Sequence, residues 1–141
     1  MNAIITHEVG LRDGLQVESQ IVPTEQKIRW IEDLIGSGID ILQLGSFVHP
    51  EKVPQMADTD RLFTHFTRPG MKSKPVTLAG LVLNEKGLDR GMVCGVEQFC
   101  MGVSASDTHS RKNTGMGTAE ALERIAAMAR KAADAGMAVQ A

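Results

Sequence analysis

No region of this 141-residue sequence carries an excess of one charge: 15 Lys and Arg stand against 17 Asp and Glu, a formal net charge of -2. A nucleic-acid or anionic-membrane partner needs a local surplus of Lys and Arg, and no such cluster is present. Cysteine is scarce as well. Cys94 and Cys100 are the only two, and such a pair is more often reduced than bridged, so the expected compartment is reducing and the expected location cytoplasmic. Long apolar runs are missing: Ala3 to Thr6 is far too short for a signal-peptide core or a membrane span, and no basic segment precedes it. Internal repeats and low-complexity stretches are also absent.

What remains is a balanced composition, 43% hydrophobic and 23% charged, enough for one core in one domain over residues 1–141. Short apolar runs recur at Ala3–Val9, Ile39–Leu44, Val76–Leu83 and Val96–Val103, each followed by Gly, Ser, Asn or Asp. They read as buried strands of a parallel sheet. Helix-like segments lie between them. After Pro23 and Thr24, residues Ile28, Ile31, Leu34 and Ile35 share one face, and Gly36 and Gly38 close the segment. Shorter helices are expected over Asp58–Phe66 and Asn84–Val93, where Gly87 and Gly91 each weaken the second by roughly 1 kcal/mol relative to Ala.

Thr118 is expected to cap a last helix whose stripe is Leu122, Ile125, Ala126, Ala129, Ala132 and Ala133. Gly136 stops it, Gly115-Met116-Gly117 reads as a flexible lead into it, and Met137–Ala141 begins another apolar run. Four strand–helix units and the start of a fifth strand imply a parallel α/β fold, either an open doubly wound sheet or part of a closed barrel. A complete eightfold barrel needs about 250 residues. The pattern therefore fits about half a (β/α) barrel, and a further segment is expected after Ala141.

Directly after the first strand stands Glu8-Val9-Gly10-Leu11-Arg12-Asp13-Gly14-Leu15-Gln16, a charged pair between glycines at the strand end where barrels build their sites. Arg12 offers a planar fork of donors to an oxyanion or carboxylate, and Asp13 a hard oxygen ligand to a divalent cation. On spacing alone, such a pair is more often a solvated turn. His7, His49, His65 and His109 show no metal-ligand spacing. The eight Met residues are scattered as core filling, and both cysteines read as small buried side chains.

The same nine residues resemble the first-strand signature of hydroxymethylglutaryl-CoA lyases, members of the DRE-TIM metallolyase superfamily. Gly45-Ser46-Phe47-Val48-His49-Pro50-Glu51-Lys52-Val53-Pro54-Gln55-Met56-Ala57-Asp58 resembles that family's segment after the second strand. Similarity continues through Pro75–Asn84 and from Ser104-Ala105-Ser106-Asp107 to Lys112-Asn113, covering nearly the whole chain. Related acyl-CoA synthases tend to carry Glu where Leu15 stands, which favours a lyase.

The resemblance implies a TIM-type barrel and Mg2+ or Mn2+ bound by Asp13. It makes Arg12 the stabiliser of the enolate-like thioester oxygen, with Gln16, Gln43 and Ser46 lining an acyl-CoA pocket. The implied reaction is cleavage of hydroxymethylglutaryl-CoA to acetyl-CoA and acetoacetate. Two departures stand out. Gln43 occupies the place of the family's usual Glu, and the remaining ligands (two His and an Asn) and a loop Cys belong to the family's C-terminal half. The alternatives are an incomplete fragment or pseudoenzyme that self-associates through its sheet edges, giving a homo-oligomer, and a related lyase or aldolase for another branched acyl-CoA.

Overall fold

The computed structural model describes residues 4–141. Five strands form one sheet, β1 (His7–Glu8), β2 (Ile41–Ser46), β3 (Thr77–Leu81), β4 (Gln98–Cys100) and β5 (Ala138–Gln140), in the order of the sequence and all parallel. A doubly wound sheet would reverse its strand order; this one never does, so the architecture is part of a (β/α) barrel. The helices are α1 (Thr24–Ser37), α2 (Thr59–Phe66), α3 (Glu85–Cys94), α4 (Asp107–Thr114) and α5 (Thr118–Asp134). None is long and apolar enough to cross a membrane among the described residues.

Alternation along the strands separates two faces. Leu42, Leu44, Leu78 and Phe99 belong to the buried core, together with Ile31 and Ile35 of α1, Leu62, Phe63 and Phe66 of α2, Leu88 of α3 and Ile125 and Met128 of α5. Gln43, Gln98 and Cys100 alternate with those residues and so take the opposite face, which corresponds to the barrel interior.

The two α3 glycines have a packing reason. A Cβ on Gly87 would stand 2.6 Å from the Phe47 carbonyl oxygen, and one on Gly91 would stand 2.6 Å from the Phe99 ring. Their low helix propensity is the condition for seating α3 directly on Phe47, just after β2, and on Phe99 of β4. Asn84 offsets part of it as the cap, accepting a 2.9 Å hydrogen bond from the Gly87 N–H.

Three expectations need correction. Ala3 lies outside the described residues, and of the rest of the first run only His7–Glu8 pairs with β2, because β1 has a single neighbour and Ile4 and Ile5 are exposed. The last helix turns slightly from the expected stripe: Ala121, Ile125, Met128 and Ala132 are buried, while Leu122 and Ala133 are exposed. Thr118 is the first helical residue and not the cap. Its N–H donates to Asp107 Oδ1 at 2.9 Å and its hydroxyl to the Ser104 carbonyl at 3.0 Å.

Helix α4 is an addition, one that the apolar pattern did not announce. Its sequence, Asp-Thr-His-Ser-Arg-Lys-Asn-Thr, buries only Ser110. It is held by its ends, with Ser106 accepting from the His109 N–H and Gly115 closing it in a left-handed conformation.

Asp107 therefore joins α4 to α5. Its carboxyl is held below the ordinary value of 3.8, first by the Thr118 N–H and then by Arg111. A depressed folded-state value means that its stabilisation is full above the unfolded value and is lost as pH falls through the folded one. Asp107→Asn is thus expected to melt at a lower temperature than the parent at pH 7. The gap closes on acidification below about pH 4, as read by circular dichroism at both pH values.

Candidate active site

Residues Gly10–Gly14 leave β1 as one wide helical turn, with the Arg12 and Asp13 N–H groups donating to the Val9 carbonyl at 3.0 and 2.7 Å. Leu11 is buried beneath the turn and anchors it to the core. This holds the next two side chains at the carboxyl end of the sheet. Arg12 Nε donates to Gln43 Oε1 at 2.6 Å, and Arg12 Nη1 to Asp13 Oδ1 at 2.8 Å. Among the described residues, Nη2 has no hydrogen-bond partner. Two edges of the guanidinium are fixed and the third is available.

Arg12 and Gln43 line a cleft of about 260 Å³ on the inner face with His7, Val9, Leu81 and Cys100. Gln43 is buried in β2, and its neutral amide leaves Asp13 as the only carboxylate on Arg12 among the described residues. Asp13 is 67% exposed, so that pairing is weak and solvent-screened.

Cys100, Gln98 and Gln140 extend the polar layer across β4 and β5. Gln98 Nε2 donates to Gln140 Oε1 at 3.2 Å, and the Cys100 thiol approaches the same oxygen at 3.8 Å. Burial pushes the Cys100 thiol up, against smaller lowering effects of the Gln43 amide and the Arg12 charge. Cys94, at the end of α3, is raised by burial and by the Asp60 charge.

The thiolate is the reactive form, so both cysteines are expected to alkylate with iodoacetamide at pH 7 more slowly than a free thiol. Cys100, the more buried, should be the slower of the two by peptide mass spectrometry. A fast-reacting Cys100 would contradict this placement.

Gln16 and Ser46 are not part of the Arg12 cleft. Gln16 lines a neighbouring cleft of about 450 Å³ with Leu83, Val103, Ser104, Asn113 and Arg124. Ser46 is fully buried at the end of β2, its hydroxyl without a partner, and lies in neither cleft. The second cleft adds residues that sequence reasoning missed as site candidates. Ser110 is buried with an unpartnered hydroxyl, and Ser104 Oγ and Asn113 Nδ2 lie 3.1 and 2.9 Å from the two ring nitrogens of His109. The Ser104–Asn113 stretch was legible only as a family segment, since polar side chains on a polar helix give no periodic signal.

Asp13 is one hard oxygen ligand. No group of three or more His, Cys, Asp or Glu able to hold a metal ion occurs among the described residues. Mg2+ keeps its hydration shell unless several ligands converge, so the residues present do not by themselves fit a tight divalent site.

A parallel sheet in sequential order, with an arginine and an aspartate after the carboxyl end of its first strand, defines part of a (β/α) barrel. The chain belongs to the HMGL-like family, which matches residues 3–141. It is 41% identical over 115 residues to hydroxymethylglutaryl-CoA lyase YngG of Bacillus subtilis, covering 82% of this chain and 37% of that protein. It is 39% identical over 119 residues to the 3-hydroxy-3-isohexenylglutaryl-CoA/hydroxymethylglutaryl-CoA lyase of Pseudomonas aeruginosa, covering 84% and 38%. The solved HMG-CoA lyase of Acinetobacter baumannii, in complex with coenzyme A and 3-methylmalate, superposes with a TM-score of 0.85 at 31% identity, covering 99% of this chain and 45% of that one. The chain spans about 40% of the length of the curated relatives it matches.

Proposed function

We propose that this chain supplies the Arg12–Asp13 part of a carbon–carbon lyase site for hydroxymethylglutaryl-CoA or a close branched 3-hydroxyacyl-CoA, and that alone it is catalytically incomplete. The observation that carries the reading is the Arg12 guanidinium, held at Nε by Gln43 and at Nη1 by Asp13, with Nη2 unpartnered among the described residues. In a retro-Claisen cleavage a base takes the tertiary hydroxyl proton and the carbon–carbon bond breaks. Its electron pair moves onto the thioester, producing an enolate oxygen. A preorganised guanidinium stabilises that charge without reorganising, and deleting such a donor typically costs about 10²–10³ in rate.

Gln16, Ser104 and Asn113 offer amide and hydroxyl groups, and Arg124 a cation, along the adjoining cleft. That is the lining a CoA thioester arm would use. Incompleteness follows from the lone carboxylate and from the share of the relatives' length that the chain spans. The Mg2+ or Mn2+ implied by the resemblance needs ligands that do not converge on Asp13 among the described residues.

The test is acetyl-CoA release from hydroxymethylglutaryl-CoA with Mg2+ or Mn2+ by the chain alone. No release above the uncatalysed rate is expected. Release that disappears in Asp13→Ala would establish a complete enzyme and overturn the incomplete reading.

A second reading, self-association, is favoured by the sheet edges. Among the described residues β1 and β5 each pair on one side only, and Ile4, Ile5 and Val9 stand exposed beside β1. Unpaired edges attract strands. Light scattering is expected to report an oligomer, and a monodisperse monomer would end this reading.

A further inference from the structure

Lys27 is the most unusual side chain outside the clefts. It lies on α1 at 2% exposure, one of the largest fully buried side chains of the protein. Lysine is almost never fully buried unless paired. Here Nζ donates to Asp58 Oδ1 at 2.7 Å and to the Gln55 carbonyl at 2.6 Å. Asp58 stands at the N-cap of α2, but its side chain makes no capping bond, since the carboxylate is committed to Lys27.

Gln55 carries the connection onward: its side chain Nε2 donates to the Glu18 carbonyl at 2.7 Å. The Thr59 hydroxyl bonds the Met56 carbonyl at 2.8 Å, and Thr59 lies so close to β2 that a Cβ on Gly45 would collide with it. One buried ammonium therefore joins α1, the loop after β2, and, through Gln55, the loop after β1. Those two loops carry Arg12, Asp13 and Gln16 on one side and follow Gln43 and Ser46 on the other.

The geometry points to Lys27 as a positioning residue that locks the two rim loops in register, so that Arg12 meets Gln43. The inference rests on the reading of that rim as an acyl-CoA lyase site only for its functional consequence. The mechanical claim stands apart from it. A buried ion pair is a poor source of net stability, and apolar replacement of both partners is often neutral or favourable. Its contribution here is the second bond, from Nζ to the Gln55 carbonyl, which no apolar pair reproduces.

That asymmetry gives the experiment. In Lys27→Met/Asp58→Leu the thermal midpoint is expected to stay near that of the parent, because no buried charge is left unpaired. Amide exchange at Arg12 and Asp13 is expected to quicken by about tenfold, with Leu78 and Ala79 in β3 unchanged. Trp30, the only tryptophan, lines a cleft with Gly10, Leu11 and Leu15, so its emission should become easier to quench with acrylamide.

Gln55→Leu keeps the ion pair, cuts only the bond to Glu18, and is expected to quicken the same two amides without moving the midpoint. Parental exchange at Arg12 and Asp13 in both variants overturns the proposal. So does an exchange rate that rises equally in β3, which is general loosening. If the double variant does not fold, Gln55→Leu decides alone. Binding of hydroxymethylglutaryl-CoA, followed by calorimetry, separates the two claims. A parent that does not bind it ends the proposed function, whereas the exchange rates still decide the role of Lys27.

Discussion

Replacing Phe63 by alanine is expected to lower the thermal midpoint by about 10–20 °C. The figure follows from the roughly 3–5 kcal/mol cost of Phe→Ala in a core and the few degrees that each kcal/mol shifts a domain of this size. Phe63 has no exposed surface, and its ring centroid lies 5.3 Å from that of Phe47. The ring also rests on β3, where a Cβ on Gly80 would come within 3.2 Å of it. Strand, ring and helix leave no slack, so the cavity left by truncation cannot collapse.

A domain holds only about 5–15 kcal/mol in total, and Phe63→Ala removes a large share of it. Phe63→Leu keeps most of the volume and should fall by clearly less. Calorimetric melting of the three proteins checks this, and an alanine variant within a few degrees of the parent would show that Phe63 does not anchor α2 to the sheet.

The same contacts explain which parts of the fold were legible in the sequence. Helix α1 was readable because Pro23 precedes it, Ile31 and Ile35 form its buried stripe, and Gly38 ends it at φ 90°. Helix α4 was not readable: eight residues with only Ser110 buried have no apolar period, and their order comes from Ser106, Gly115 and the Asp107 bridge to α5. The one-residue rotation of α5, which exposes Leu122 and buries Ala121 and Met128, is a tertiary decision. An alanine-rich face accepts several rotations with similar burial, and the neighbouring helix α3 and strand β5 select one.

The site divides in the same way. Arg12 and Asp13 stood out only through the resemblance, because a charged pair between glycines is by spacing alone more often a solvated turn. Lys27 was invisible, since a lysine in an amphipathic helix is ordinarily on the solvated face and nothing local announces Asp58 as its partner. Gln16 and Gln43 were expected in one pocket but line two clefts. The turn at Gly10–Gly14 winds wide and sends Arg12 over the inner face, while Gln16 leaves toward the loop after β4.

Arg12→Met is expected to weaken binding of hydroxymethylglutaryl-CoA by about 10–100-fold, the equivalent of one or two charge-assisted hydrogen bonds. The substitution keeps a flexible apolar stem at half-buried Arg12 but removes the donors to Gln43, to Asp13 and into the cleft. It also leaves the side-chain amide oxygen of buried Gln43 without its 2.6 Å donor. Arg12→Lys should recover little of the loss, because a point charge with three rotatable donors cannot hold the Gln43 edge and the cleft edge in one plane.

Gln43→Glu is the informative companion. It places a carboxylate at a distance where Arg12 must neutralise it, so the guanidinium charge then serves the protein more than the ligand. Affinity for a free carboxylate or enolate analogue should fall, while the thermal midpoint changes little. Titration calorimetry on the three variants separates the effects. An Arg12→Met protein that binds hydroxymethylglutaryl-CoA as tightly as the parent would remove Arg12 from the site and, with it, the chemistry assigned to this rim.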